Sequence, residues 1–94
     1  MGSVISMPVT LNRAAKLYVN VDNVTDAAPL KIELLDKSDN VIRGYESTVS
    51  KDSLKLPVAW KAARTLPVGQ PYRIRVSWPD GEPNPRLYAM YIEP

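Results

Sequence analysis

The side chains able to do chemistry are a restricted set, because the chain contains no His and no Cys. Without them no Ser–His or Cys–His nucleophile pair can be assembled. Zinc sites built from Cys and His are excluded with them. Carboxylates, Lys and the flat faces of two Trp and five Tyr remain, with no Phe. Catalysis would have to rest on carboxylates, Lys or Tyr, yet 94 residues leave little room for a cleft that encloses a substrate. The residue types point away from an enzyme, with no catalytic residue and no cofactor expected. They point toward binding through exposed aromatic faces beside polar groups.

Charge narrows the partners further. Lys and Arg total 12 against 10 Asp and Glu, a net charge of +2. A nucleic-acid binder needs a clustered basic face, so nucleic acid is not an expected partner. No apolar run approaches the ~20 residues of a membrane-spanning helix, so no membrane partner is expected. Asp22, Asp36, Asp39 and Asp80 raise calcium, which takes several oxygen ligands. They lack the spacing of a calcium loop, and Asp36-Lys37-Ser38-Asp39-Asn40 reads better as turn chemistry; no metal site is expected.

The elements that would position binding residues are short and strand-like. Leu17-Tyr18-Val19-Asn20-Val21-Asp22 alternates with period two, as do Leu30 to Leu34 and Tyr72 to Trp78. Such alternation puts successive side chains on opposite faces of a sheet. Val41-Ile42 begins a return strand after the Asp36–Asn40 turn, giving a hairpin, and Gly44 marks a bend or bulge. Pro57 suits a sheet edge or a strand start, since it cannot donate to a ladder. Ala62-Ala63-Arg64-Thr65-Leu66 reads as one helical turn ended by Pro67, and Pro79–Pro85 as a loop. Leu87 to Ile92 closes the chain as a strand. With nine prolines and four glycines as punctuation, the chain predicts an all-β fold. The expected form is a single antiparallel β-sandwich of about six to eight short strands. One module spans residues 1–94. Residues 1–7 read as an added start or linker remnant, without the charged and apolar regions of a secretion signal.

The ordered strands resemble the small β-sandwich modules attached to secreted bacterial polysaccharide-degrading enzymes, and most closely the family 81 carbohydrate-binding modules. The resemblance rests on Asn20 and Asp22 ending the first strand, then Glu33-Leu34-Leu35-Asp36 and Gly44-Tyr45. It continues through Asp52-Ser53, Lys55, Pro57-Val58-Ala59-Trp60-Lys61 and Leu87-Tyr88-Ala89. Lys51, Trp78, the Pro79–Pro85 loop and Tyr91 depart from the pattern. The resemblance implies an extracellular, non-catalytic module that holds a tethered glycoside hydrolase, such as a cellulase, on β-glucan. Cello-oligosaccharides and xyloglucan are candidate forms of that ligand. The rival is a structural or adhesive Ig-like sandwich that docks a neighbouring domain, since fold alone does not fix function.

A pyranose ring has a flat face of C–H groups that packs on the negative face of an aromatic ring, and its hydroxyls need polar partners. The candidate ligand-binding residues are Trp78, Tyr91, Tyr18, Trp60, Asn20 and Arg75. Strand parity puts Tyr18 outward beside Asn20. The family pattern puts Tyr88, Met90 and Ile92 on the core side and Tyr91 outward with Leu87 and Ala89. Tyr18 and Tyr91 could equally be a cross-strand packing pair. Trp60 shares a face with Val58 and could belong to the core. Trp78 has core parity with Ile74 and Val76, but it ends its strand at the sandwich rim, where it would stack on sugar with Tyr91 as the nearest second platform. Arg73 and Arg75, with Lys31 and Glu33, would add charge to the same sheet face, as an anion site or as a solvated face. Asp52-Ser53 suits a side-chain turn or backbone cap.

Overall fold

In the computed structural model, which describes residues 2–79 and 85–94, the period-two alternation becomes burial. Leu17, Val19 and Val21 are buried along one strand, and Ile74 and Val76 along another. Among the described residues there are seven strands, β1 Gly2–Ile5, β2 Lys16–Asp22, β3 Leu30–Leu35, β4 Val41–Val49, β5 Ser53–Pro57, β6 Arg73–Trp78 and β7 Arg86–Glu93. They form a four-stranded sheet in the order β1-β6-β3-β4 and a three-stranded sheet in the order β5-β2-β7. Every pairing is antiparallel. The core cluster takes Leu17, Val19 and Val21 from one sheet and Leu30, Ile32, Leu34, Ile74 and Val76 from the other. The fold is therefore an all-β, two-layer antiparallel sandwich. Asp80 and the interior of the Pro79–Pro85 loop lie outside the described residues.

The β3–β4 hairpin turns where the sequence predicts. The Asp36 carboxylate accepts the N–H groups of Ser38 (2.8 Å) and Asn40 (3.0 Å), and Asp39 takes a positive φ of 64°. That carboxylate is engaged by the turn's own backbone. Gly44 sits at φ 85° inside the bulged stretch of β4, and a Cβ there would run into Ala62.

Residues 2–5 are part of the sheet, contrary to the expectation that they lie outside the fold. Gly2 stands opposite Trp78 and Ile5 opposite Arg75. The pairing runs on through Ser6, whose N–H donates to the Ile74 carbonyl (2.8 Å) and whose hydroxyl accepts the Ile74 N–H (2.9 Å). Val9 and Tyr72 then exchange backbone bonds. Backbone bonding holds this edge, and Ser3, Val4 and Ile5 are all exposed, so no alternation marks it in the sequence. The two chain ends thus complete different sheets, β1 beside β6 and β7 beside β2.

The predicted helical turn at Ala62–Leu66 does not form. Its amides are used elsewhere: Ala62 N–H donates to the Gly44 carbonyl (3.0 Å) and Leu66 N–H to the Ala15 carbonyl (2.8 Å). The connection from β5 to β6 is instead a strap across one end of the sandwich. It inserts Val58, Trp60 and Leu66 into the core.

Candidate functional site

The outer face of the β5-β2-β7 sheet gathers the aromatic and amide side chains. Tyr18 on β2 lies directly opposite Tyr91 on β7, and Asn20 opposite Ala89. Directly opposed residues share a face, so Tyr18, Asn20 and Tyr91 come together as the sequence predicts. Tyr91 is 38% exposed. Tyr18 is half-buried, because the Lys55 ammonium lies 5.1 Å from its ring centroid. Lys55 reaches across β2 to Glu93, with Nζ 2.7 Å from Oε1. That hydrogen bond raises the Lys55 pKa above the ordinary lysine value. A cation over a tyrosine face is itself attractive, so Tyr18 has an occupant already and Tyr91 is the more open platform.

Two β-bulges flank Asn20. On β5, Leu56 pairs with Val19 and Ser53 with Val21, so Leu54 and Lys55 together oppose Asn20. On β7, Ala89 pairs with Asn20 and Leu87 with Val21, so Tyr88 is the extra residue. A bulge shifts the alternation by one. Leu87 therefore packs against the core, and Tyr88, expected on the core side, is 58% exposed. Met90 keeps its expected core contact. Ile92 lies opposite buried Leu17 yet is 38% exposed at the sheet's end. Between the bulges lies an open groove of about 410 Å³ lined by Asn20, Asp22, Asp52, Ser53, Leu54 and Tyr88. Tyr88 is the functional candidate that strand parity missed, since an inserted residue leaves no mark in the alternation. Asp52 has the capping role foreseen for it, accepting the Val24 N–H at 2.9 Å.

Three predicted residues stand elsewhere. Trp60 is 7% exposed, its ring centroid 5.7 Å from that of Tyr45, and it offers no stacking face. Trp78 and Tyr91 belong to opposite sheets, so they do not form neighbouring platforms. The Trp78 indole packs against the core and fills the space where a Cβ on Gly2 would stand, covering the edge glycine. It lines a shallow depression of about 230 Å³ with Ala27, Pro29 and Pro79. Arg75 is on the outer face of the four-stranded sheet. Its Nε (3.1 Å) and Nη2 (2.9 Å) both donate to Oε1 of Glu33. Strand parity tells inside from outside but not one sheet from the other, so it does not separate Arg75, Lys31 and Glu33 from the tyrosines.

The Arg75 contact is structural. Glu33 is only 5% exposed and lies opposite Glu46, with Lys31 at 3.7 Å as its second cation. Arg75→Ala leaves that carboxylate under-compensated. We expect a loss of about 1–3 kcal/mol, short of the ~3–5 for a fully buried pair because Lys31 remains. Urea midpoints measure it. An unchanged midpoint together with weakened ligand binding would return Arg75 to the binding residues.

Among the described residues, no group of three or more Asp or Glu side chains is placed to hold a metal ion. Comparison with protein-family models, curated proteins and solved structures gives no match.

Proposed function

We propose that this protein is a non-catalytic carbohydrate-binding module. It takes a β-glucan chain on the outer face of the β5-β2-β7 sheet and keeps a tethered glycoside hydrolase near its polymer in an extracellular, bacterial setting. The observation that supports the reading is the pairing of open tyrosine faces with hydroxyl-binding groups on one surface. Tyr91 and Tyr88 are exposed, and Asn20, Asp22 and Ser53 line the adjoining groove. The two tyrosines are three residues apart on β7, roughly 7–10 Å at ~3.3 Å per residue with the bulge shortening the path. Each would stack on the C–H face of a sugar while the amide and carboxylate replace water at its hydroxyls. Tethering then converts re-engagement of the polymer into an intramolecular event.

Affinity electrophoresis against soluble polysaccharides tests this. We expect retardation by a β-glucan without release of reducing sugar. Tyr88→Ala and Tyr91→Ala should each weaken binding by ~1–3 kcal/mol, the scale of one lost aromatic burial, and leave the thermal midpoint nearly unchanged. Stacking and neutral hydrogen bonds are only weakly salt-dependent, whereas surface ion pairs are screened over ~8 Å at physiological ionic strength. Binding abolished by moderate salt, or unaffected in the Tyr88/Tyr91 double variant, would overturn the assignment. The second reading, a structural or adhesive sandwich, draws on the uncharged edge of β7.

A further inference from the structure

We propose that β7 is a self-docking edge, through which two copies of this chain join by antiparallel β7–β7 pairing into one continuous sheet. The proposal is independent of the carbohydrate reading. Among the described residues β7 pairs with β2 alone, so its far edge presents backbone N–H and C=O groups ready for another strand. The other three edges are blunted. β1 is four residues long. β4 bends at Gly44 and carries Arg43 and Glu46. β5 carries Lys55 and ends on Pro57. By contrast β7 runs for eight residues, and its interior, Leu87-Tyr88-Ala89-Met90-Tyr91-Ile92, has neither charge nor proline. Tyr88, Tyr91 and Ile92 in it are exposed.

The ends of the strand select the occupant. Arg86 opens β7 and Glu93 closes it; within the chain Glu93 already holds Lys55 through Oε1, and a carboxylate has acceptor sites for a second cation. Antiparallel self-pairing about an axis through Met90, with the bulge at Tyr88 kept on both copies, sets Arg86 of each copy against Glu93 of the other. The same register sets Leu87 against Ile92 and Tyr88 against Tyr91. In a regular strand these partners would face opposite sides of the sheet, since the separation within each pair is odd. The Tyr88 bulge removes that conflict. Opposite β2, Arg86 aligns with Asp22, Tyr91 with Tyr18 and Glu93 with Lys16, all on the outer face. Leu87 and Ile92 align with the buried Val21 and Leu17. Charge and facing therefore agree along the whole register, with Tyr88 and Ala89 together opposing Tyr91 and Met90 meeting Met90 at the axis. The second copy would also place its Tyr88 beside Tyr91, extending the tyrosine face across both copies.

Sedimentation equilibrium from micromolar to millimolar protein reads the outcome. The wild-type chain should show a concentration-dependent dimer. Arg86→Glu and Glu93→Arg should each weaken self-association at least tenfold, because each sets like charges together twice. Mixing the two variants should restore a dimer, since both contacts are then complementary. The double exchange Arg86→Glu/Glu93→Arg in one chain should dimerise with itself and not with wild type, which decides the matter even if a single variant folds poorly. A wild-type chain that stays monomeric throughout, or a double-exchange chain that pairs freely with wild type, overturns the proposal.

Discussion

Trp60→Ala will lower stability by ~3–5 kcal/mol, the range for deleting a buried Trp. For a chain of this length that corresponds to a fall in Tm on the order of 15 °C or more. The loss is a large share of the ~5–15 kcal/mol that holds a typical domain together. The reason is position: Trp60 is in the core cluster, stacked obliquely on Tyr45 and carried there by the strap between β5 and β6. Trp60→Phe should behave differently. The indole Nε1–H is buried with no acceptor among the described residues, so Phe discards an unsatisfied donor, worth ~1–3 kcal/mol, against a smaller packing loss. We expect a net change within about 1.5 kcal/mol. Thermal unfolding of both variants checks this; a Trp60→Ala protein that melts like wild type would mean that the ring does not pack in the core.

Raising the pH will destabilise the fold through Tyr72. Its ring is almost fully buried, and its hydroxyl donates to the Pro67 carbonyl at 3.3 Å. Burial, with a smaller contribution from Tyr45, pushes its pKa up to about 12. The unfolded chain releases this proton near pH 10 and the folded one about two units later, so the neutral phenol favours the native state. Its contribution is complete below pH 10 and is lost as the pH rises through 12. At ~1.4 kcal/mol per unit the loss totals roughly 2–3 kcal/mol. Tyr72→Phe should cost ~0.5–1.5 kcal/mol at neutral pH for the hydrogen bond and flatten the decline above pH 10. Urea midpoints measured from pH 9 to 12 test it; a variant with the wild-type slope would remove Tyr72 as the cause. The exposed Lys55, whose pKa Glu93 raises, moves in the same direction, but solvent screens the pair.

What could be read from the sequence was whatever burial on one face enforces. β2, β3 and β6 each carry an alternating apolar set into the core, so Leu17, Val19, Val21, Ile32, Leu34, Ile74 and Val76 mark themselves as core. The Asp36–Asn40 turn was equally plain, because its side-chain bonds are local. Strand β1 was invisible, being fixed by backbone bonds to a distant partner. The β7 bulge was invisible because Tyr88 is an ordinary strand residue whose insertion shows only against β2. It reversed the assignment of Leu87 and Tyr88, and with it half of the candidate surface. The facing of Tyr18, Asn20 and Tyr91 is legible because the extra residues lie in β5 and at Tyr88, leaving the alternation of β2 and of β7 from Ala89 onward intact.

The exchange of chain ends between the sheets bears on how quickly the fold can be reached. Among the described strands the one local pairing is the β3–β4 hairpin. Pairing β1 with β6 joins residues such as Ser6 and Ile74, 68 positions apart, and β7 closes on β2 across a similar span. Each closure costs chain entropy before its contacts form. Proteins dominated by such non-local pairings fold in ~milliseconds to seconds, well behind helical bundles of equal size. Until β7 closes on it, β2, with its apolar Leu17, Val19 and Val21, presents an unpaired backbone edge. Prolonged exposure of this stretch to other chains is the hazard built into the topology.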